Sequence, residues 1–174
     1  MNDDLFQTRK LVRDLMTVGV PTCPPDTRLV DLVRLMLEKN WEAVVVLDGE
    51  EGHALGVVSQ AELVKAYERE DVRSLKVEDI MREGVPQIPP DVPLTVAAQM
   101  MRDQHVRTFF LMHNAAGVTY PAAMITYRHL MRHLAAQSDN DLKDMGIAAA
   151  RKAPLEQFIE RRDAAKRAAE NRRK

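Results

Sequence analysis

Cysteine occurs once in this chain, at Cys23, which excludes an internal disulfide and any thiolate cluster for a metal. No apolar run approaches the ~18–20 residues that span a bilayer. The first residues, Met1-Asn2-Asp3-Asp4, are acidic, the wrong start for a secretory or transit peptide. Charge of one sign is also lacking: 25 Lys and Arg face 26 Asp and Glu, so the whole chain has no bias toward nucleic acid. There is no P-loop, no G-x-G-x-x-G, no metal triad and no nucleophile–base motif, so an enzyme is not expected. A cytoplasmic, non-catalytic protein without a membrane span is the expectation.

What remains is a chain of 174 residues, 45% hydrophobic and 29% charged, enough to core one compact domain or two small ones. An internal repeat decides between these. Val12–Asp26 reads VRDLMTVGVPTCPPD and Val77–Asp91 reads VEDIMREGVPQIPPD, identical at nine of fifteen positions with an offset of 65. The register continues through Leu29 and Leu94, Met36 and Met101, and the runs Val44–Leu47 and Phe109–Met112. After a two-residue insertion, Val57-Val58-Ser59 aligns with Met124-Ile125-Thr126.

Each copy carries the same punctuation. A Pro-rich segment (Pro21–Pro25, Pro86–Pro90) must be extended, because proline fixes φ and restricts the residue before it. Asp26 and Thr27 supply a helix start, and Leu29, Leu32, Val33, Met36 and Leu37 fall at helical spacing, as do Leu94, Ala97, Ala98 and Met101. Asn40 and His105 end these helices. Two strands follow in each copy, the second over Leu55–Val58 and Ala122–Ile125. An amphipathic helix then carries Leu63, Val64 and Tyr67, or Leu130, Met131 and Leu134. The class is α+β: two β-α-β-β-α units of about 60 residues, each too small to stand comfortably alone, packed sheet to sheet about a pseudo-twofold axis. The copies span residues 9–70 and 71–136, joined through Ser74–Asp79, and residues 137–174 form a helical extension.

The segments DLMTVGVPTCPPDTRLVDLVRLM, AVVVLD and GVVSQAEL resemble the cystathionine β-synthase (CBS) domain. DIMREGVPQIPPDVPL, TFFLMH and AAMITYRHL resemble it a second time. The resemblance implies a tandem pair, a Bateman-type module. Such pairs commonly bind adenosine-containing ligands (AMP, ADP, ATP or S-adenosylmethionine) in two clefts, act as sensors rather than catalysts, and dimerise as a disc. No cofactor is required; the ligand would be regulatory.

An adenine ring needs an apolar slot, a ribose diol an accepting carboxylate, and phosphates a hydroxyl and a cation. The family's G-h-h-[ST]-x-x-D turn maps in the first copy onto Gly56, Val58, Ser59 and Glu62, with Thr22 at the early Thr position. Ser59 and Glu62 read either as a capping box alone, S-x-x-E, or as a cap that also meets ligand. In the second copy Thr126 keeps the hydroxyl, His129 replaces the carboxylate and Gln87 replaces the Thr. That cleft is expected to bind weakly or not at all, or to hold a phosphate through Arg128 and Arg107. His129 and His133, four apart on a helix, lack a third ligand, so solvated or half-buried histidines are expected rather than a metal site. Cys23 reads as a small buried side chain, the methionines as core filling, and Trp41 as core or interface.

Residues 151–174 hold nine basic and four acidic side chains, ending an otherwise acidic body. A last helix over 155–171, with Leu155, Phe158 and Ile159 as its apolar stripe, reads either as a solvated helix or as an arm for an unidentified protein partner. Without aromatic interleaving it does not suggest specific nucleic-acid binding. Two functions follow from the whole: a homodimeric ligand sensor, or a ligand-free interaction module with degenerate clefts that docks through this helix.

Overall fold

The Pro-rich segments carry the chain from a short lead-in to the edge of a sheet. The computed structural model describes residues 10–49, 52–115, 118–144, 159–160, 162–164 and 167. The first repeat runs through helix α1 (Val12–Leu15), strands β1 (Thr17–Val18) and β2 (Thr22–Cys23), helix α2 (Leu29–Lys39), strands β3 (Ala43–Leu47) and β4 (Ala54–Ser59) and helix α3 (Gln60–Ala66). The second repeats this order as a 3-10 turn (Val77–Asp79), β5 (Arg82–Glu83), α4 (Leu94–Asp103), β6 (Thr108–Ala115), β7 (Val118–Thr126) and α5 (Tyr127–Ala135). Gln87 bridges in parallel to Phe110, as Thr22 in β2 pairs in parallel with Val45 in β3. Helix α6 (Asp139–Asp144) follows.

Equivalent residues adopt equivalent backbones, which makes the α+β pair pseudo-twofold. Asn40 and His105 sit in the left-handed region at φ 55° and 54°, ending the helices as their positions suggested. The register of each hairpin also shifts at the same place, after Val46 and after Leu111.

The repeats are not self-contained, however. Strand β1 pairs antiparallel with β7 of the second repeat, and β5 pairs with β4 of the first, giving sheets β2-β3-β4-β5 and β1-β7-β6. The same exchange is written in the backbone. Val12 N donates to Val92 O and Val77 N to Thr27 O, both at 2.9 Å, while Leu94 N donates to Lys10 O at 3.0 Å and Leu29 N to Leu75 O at 2.9 Å. The stretch 74–79, expected as a plain connection, is therefore the lead-in that satisfies the start of α2. That start lies at Leu29, with Arg28 as N-cap and no side-chain cap, rather than at Asp26 and Thr27.

Strand β3 is buried at every position. Ala43, Val45 and Leu47 join Val20, Val57, Phe110, Tyr120 and Ala122 in the layer between the sheets. Val44 and Val46 pack with Cys23, Leu32 and Met36, with Trp41 partly buried beside them. Each fully buried Val, Leu, Met or Phe among them contributes about 1.5–3 kcal/mol by leaving water. Leu37, at 78% exposure, and Ala98 fall outside the buried stripes of α2 and α4. The short helix expected within 141–150 is α6 up to Asp144, and its remainder lies outside the described residues. So does most of the helix expected over 155–171; the described positions within it are helical.

Candidate functional site

Strand β4 ends where Ser59 turns extended and caps α3. Ser59 Oγ accepts from Ala61 N at 3.2 Å, while Ser59 N and Oγ both donate to Glu62 Oε2, at 2.8 and 2.5 Å. The capping box is thus formed. Both of its bonds use one carboxylate oxygen, so Oε1 has no partner among the described residues. Thr22 lies half-buried on β2. Its neighbour Cys23 is buried; desolvation, then the nearby Asp26 charge, push the thiol up to about 12, so it stays protonated and unreactive. Val58 does not belong to the cleft through its side chain, which packs among Val44, Val46 and Leu32 under α2. Gly56 is needed here: a Cβ would collide with the Arg82 carbonyl, so β5 can lie against β4 only because this side chain is absent.

The equivalent turn in the second repeat is closed. Thr126 N donates to His129 Nδ1 at 2.9 Å, and an amide N–H can only donate, so Nδ1 carries no proton. In the neutral ring the proton sits on Nε2, which donates to Thr17 Oγ1 at 2.7 Å. Burial foremost, then Arg132 and Arg128, lowers the His129 pKa from 6.5 to about 4. His129 is 5% exposed, more buried than the solvated or half-buried residue expected, because it fills the capping position itself. Neither nitrogen is left for a ribose. Thr126 Oγ1 accepts from Arg128 N at 3.2 Å and is buried as well. Among the described residues no three His, Cys, Asp or Glu side chains converge as a metal ion requires.

Arg128, expected to face a phosphate, reaches across to the first repeat instead. Its Nε lies 3.5 Å from Glu42 Oε1 and its Nη2 donates to Asn40 Oδ1 at 3.2 Å. Arg107 lines a cavity of about 240 Å³ with Glu42, Ser59, Gln60, Tyr127 and Arg128. It also lines a smaller one, about 60 Å³, with Ser59, Glu62, Arg82, His105 and Thr108. Arg107 therefore stands between the two turns: it shares both cavities with Ser59 of the first repeat, and its carbonyl accepts from Tyr127 N of the second at 3.0 Å. A third cavity, about 460 Å³, lies between Met16, Val18, Gln87, Ile88, Leu111 and Met112, and neither carboxylate nor guanidinium lines it.

Arg82, Thr108 and Thr17 escaped the reading of the sequence because each acts on the other repeat. Only knowledge of the exchanged lead-ins would have pointed to Arg82 and Thr17.

The CBS domain profile matches residues 12–69 and 77–136. No curated protein matches the chain. Among solved structures, the CBS-domain containing protein ATU1752 from Agrobacterium tumefaciens aligns at TM-score 0.64 and 21% identity, over 72% of this chain and 94% of that one. The CBS domain pair of protein MJ0100, solved in complex with 5′-methylthioadenosine and S-adenosyl-L-methionine, aligns at 0.60 and 17%, over 72% and 99%. A putative acetoin utilization protein (AcuB) from Vibrio cholerae aligns at 0.58 and 22%, over 81% and 98%.

Proposed function

The chain belongs to the CBS-domain family, as a tandem pair, and from that premise we propose that it is a cytoplasmic, non-catalytic regulatory module whose first cleft binds an adenosine-containing ligand. The observation that carries this is Glu62: its Oε2 holds the cap while Oε1 remains free to accept from a ribose diol. Thr22 and Ser59 stand at the other positions that the family resemblance marks. The bound adenosyl ligands of MJ0100 support the ligand class. The second cleft, whose Thr126 and His129 are engaged internally, contributes little affinity.

A homodimer is the working unit of this proposal. Val64 on α3 and Tyr67 at its C-cap are 71% and 81% exposed, and their equivalents Met131 and Leu134 on α5 are 67% and 73% exposed. Two equivalent apolar faces suit a second copy of the chain, and ligand binding would shift the dimer between two states through differential affinity.

Glu62→Gln separates cap from ligand. Glutamine keeps the capping box through its oxygen, but its amide N–H₂ then occupies the Oε1 position, a donor where the diol needs an acceptor. Thermal unfolding with millimolar AMP, ADP, ATP or S-adenosylmethionine should raise Tm by several degrees in the native chain. In E62Q the rise should vanish while the ligand-free Tm stays close to native. An unaltered ligand response in E62Q would remove Glu62 from the site. The closed His129 turn favours a second reading, a ligand-free module that docks a protein through residues 151–174; a flat response to the whole panel would select it.

A further inference from the structure

We infer that the 460 Å³ cavity of the second repeat is a binding site of its own, for an uncharged planar aromatic molecule of one or two rings that carries neither ribose nor phosphate. This site stands apart from the adenosyl reading of the first cleft, and either can fail alone.

Small-molecule pockets are typically about 300–1,000 Å³ and mostly apolar, with a few placed polar groups. This cavity matches in size and in lining. Ile88, Leu111, Ala122 and Ala123 form a floor that is at most 9% exposed. Met16, Val18 and Met112 line its half-buried sides, and the exposed Gln87 and His113 stand at its mouth. No carboxylate, ammonium or guanidinium lines it. A charged ligand would leave water here without a counter-charge, which disfavours it strongly. An uncharged ring suits the lining better. The Met16 and Met112 thioethers are polarizable partners for an aromatic ring. The Gln87 amide offers both a donor and an acceptor to a polar atom on the ring's edge. His113, T-shaped against Tyr120 with 5.5 Å between ring centroids, supplies an aromatic neighbour.

The end of this cleft that would recognise a sugar is shut. Thr17 lies between Met16 and Val18 of the cavity wall, and its hydroxyl is taken by His129, which also fills the capping position at Thr126. The pseudo-twofold supplies the contrast. Val18 and His113 stand where the first repeat has Glu83 and Asp48. Two acids of the first repeat are thus an apolar side chain and an imidazole in the second. Ala122 likewise replaces the larger Leu55. One cleft kept its acidic groups; the other exchanged them for apolar surface.

The test is an NMR titration of the full chain, isotope-labelled at its methionine methyls, with indole as the probe. The Met16 and Met112 signals should move together and saturate below millimolar indole, while Met36 and Met81 of the first repeat stay in place. Indole-3-carboxylate, cyclohexanol and adenosine should each act on Met16 and Met112 about tenfold more weakly or less. Val18→Glu, which puts the first repeat's acid on the cavity wall, should weaken indole by about tenfold or more. Gln87→Ala, a change at an exposed side chain outside the core, should weaken it several-fold and keeps the test decisive if Val18→Glu proves unfolded in its ligand-free spectrum. Absence of saturable shifts at Met16 and Met112, an equal response to indole-3-carboxylate or cyclohexanol, or native affinity in either folded variant would each overturn the site. Adenosine acting on Met16 and Met112 as strongly as indole would also overturn it, returning the cavity to nucleoside binding. The first cleft is read separately at Met81, whose sulfur lies beside Gly56, so adenosine can fail there without touching this site.

Discussion

His129 on α5 donates through Nε2 to Thr17 Oγ1 at 2.7 Å, tying a helix of the second repeat to a strand 112 residues earlier in the chain. The two bonds of the ring together need it neutral: Nδ1 must accept from Thr126 N while Nε2 donates to Thr17. The Thr126 bond holds the ring in place, and the Thr17 bond ties the exchanged lead-in to the repeat it serves.

Acid should loosen this joint first. The pKa of His129 falls from 6.5 to about 4 on folding, chiefly through burial. The unfolded chain therefore takes up the proton more readily than the folded one. The stability that the neutral ring contributes is fully present above about pH 6.5 and is lost as pH falls toward 4, a loss on the order of 3 kcal/mol. Thermal unfolding between pH 7.5 and 4 should show Tm dropping through that window. His129→Gln, which still offers an acceptor to Thr126 N, should flatten the part of the drop that carboxylate protonation does not cause. An equal slope in the variant would show that His129 is not the group responsible.

Gly56→Ala tests the close approach of β4 and β5. The added methyl would collide with the Arg82 carbonyl, backbone that no rotamer change can move aside. The variant should lose about 1–3 kcal/mol of stability, the usual cost of overpacking. The corresponding residue of the second repeat is Ala123, which already carries a Cβ. Ala123→Gly should accordingly bring no gain in stability, and chemical denaturation of both variants checks the asymmetry.

Thr108→Val should make the ligand-free chain more stable. Its Oγ1 is buried without a partner, and an unsatisfied buried hydroxyl costs about 1–3 kcal/mol relative to an apolar group of the same shape. For a chain of this length 1 kcal/mol corresponds to about 2–4 °C in Tm. A higher Tm together with a weaker response to the adenosyl ligand of the first cleft would mark Thr108 as retained for a ligand at the expense of stability. A lower Tm would mean that the hydroxyl has a partner in solution, such as an ordered water.

The duplication was legible because it rests on local chemistry. Nine matched positions, the Pro-rich extended segments and helix ends at Asn40 and His105 all act within a few residues of themselves. The exchange of lead-ins was not, since β1 and β5 have two residues each, too few to show a period. From that one omission the other differences follow. Ser74–Asp79 read as a linker because its bonds to the start of α2 join distant parts of the chain. Arg107 and Arg128 read as one phosphate pair because they share a repeat, whereas Glu42 of the other repeat neutralises the second of them. The Ser59–Glu62 capping box was legible from spacing alone, but not which carboxylate oxygen stays free.

The exposed faces of α3 and α5 set the last prediction. Leu63 and Leu130, the inward members of the two apolar sets, are partly buried against their own cores. Val64, Tyr67, Met131 and Leu134 point away from those cores and stay largely exposed. Large apolar side chains in one such patch mark an interaction surface, and equivalence about the pseudo-twofold suits a symmetric partner. Tyr67→Glu/Leu134→Glu removes no core contact, so each monomer should unfold within a few degrees of native. Placing carboxylates in both faces should turn a concentration-dependent dimer into a monomer in analytical ultracentrifugation. If the native chain sediments as a monomer at tens of micromolar, or the double variant remains dimeric, the dimer does not form through these helices.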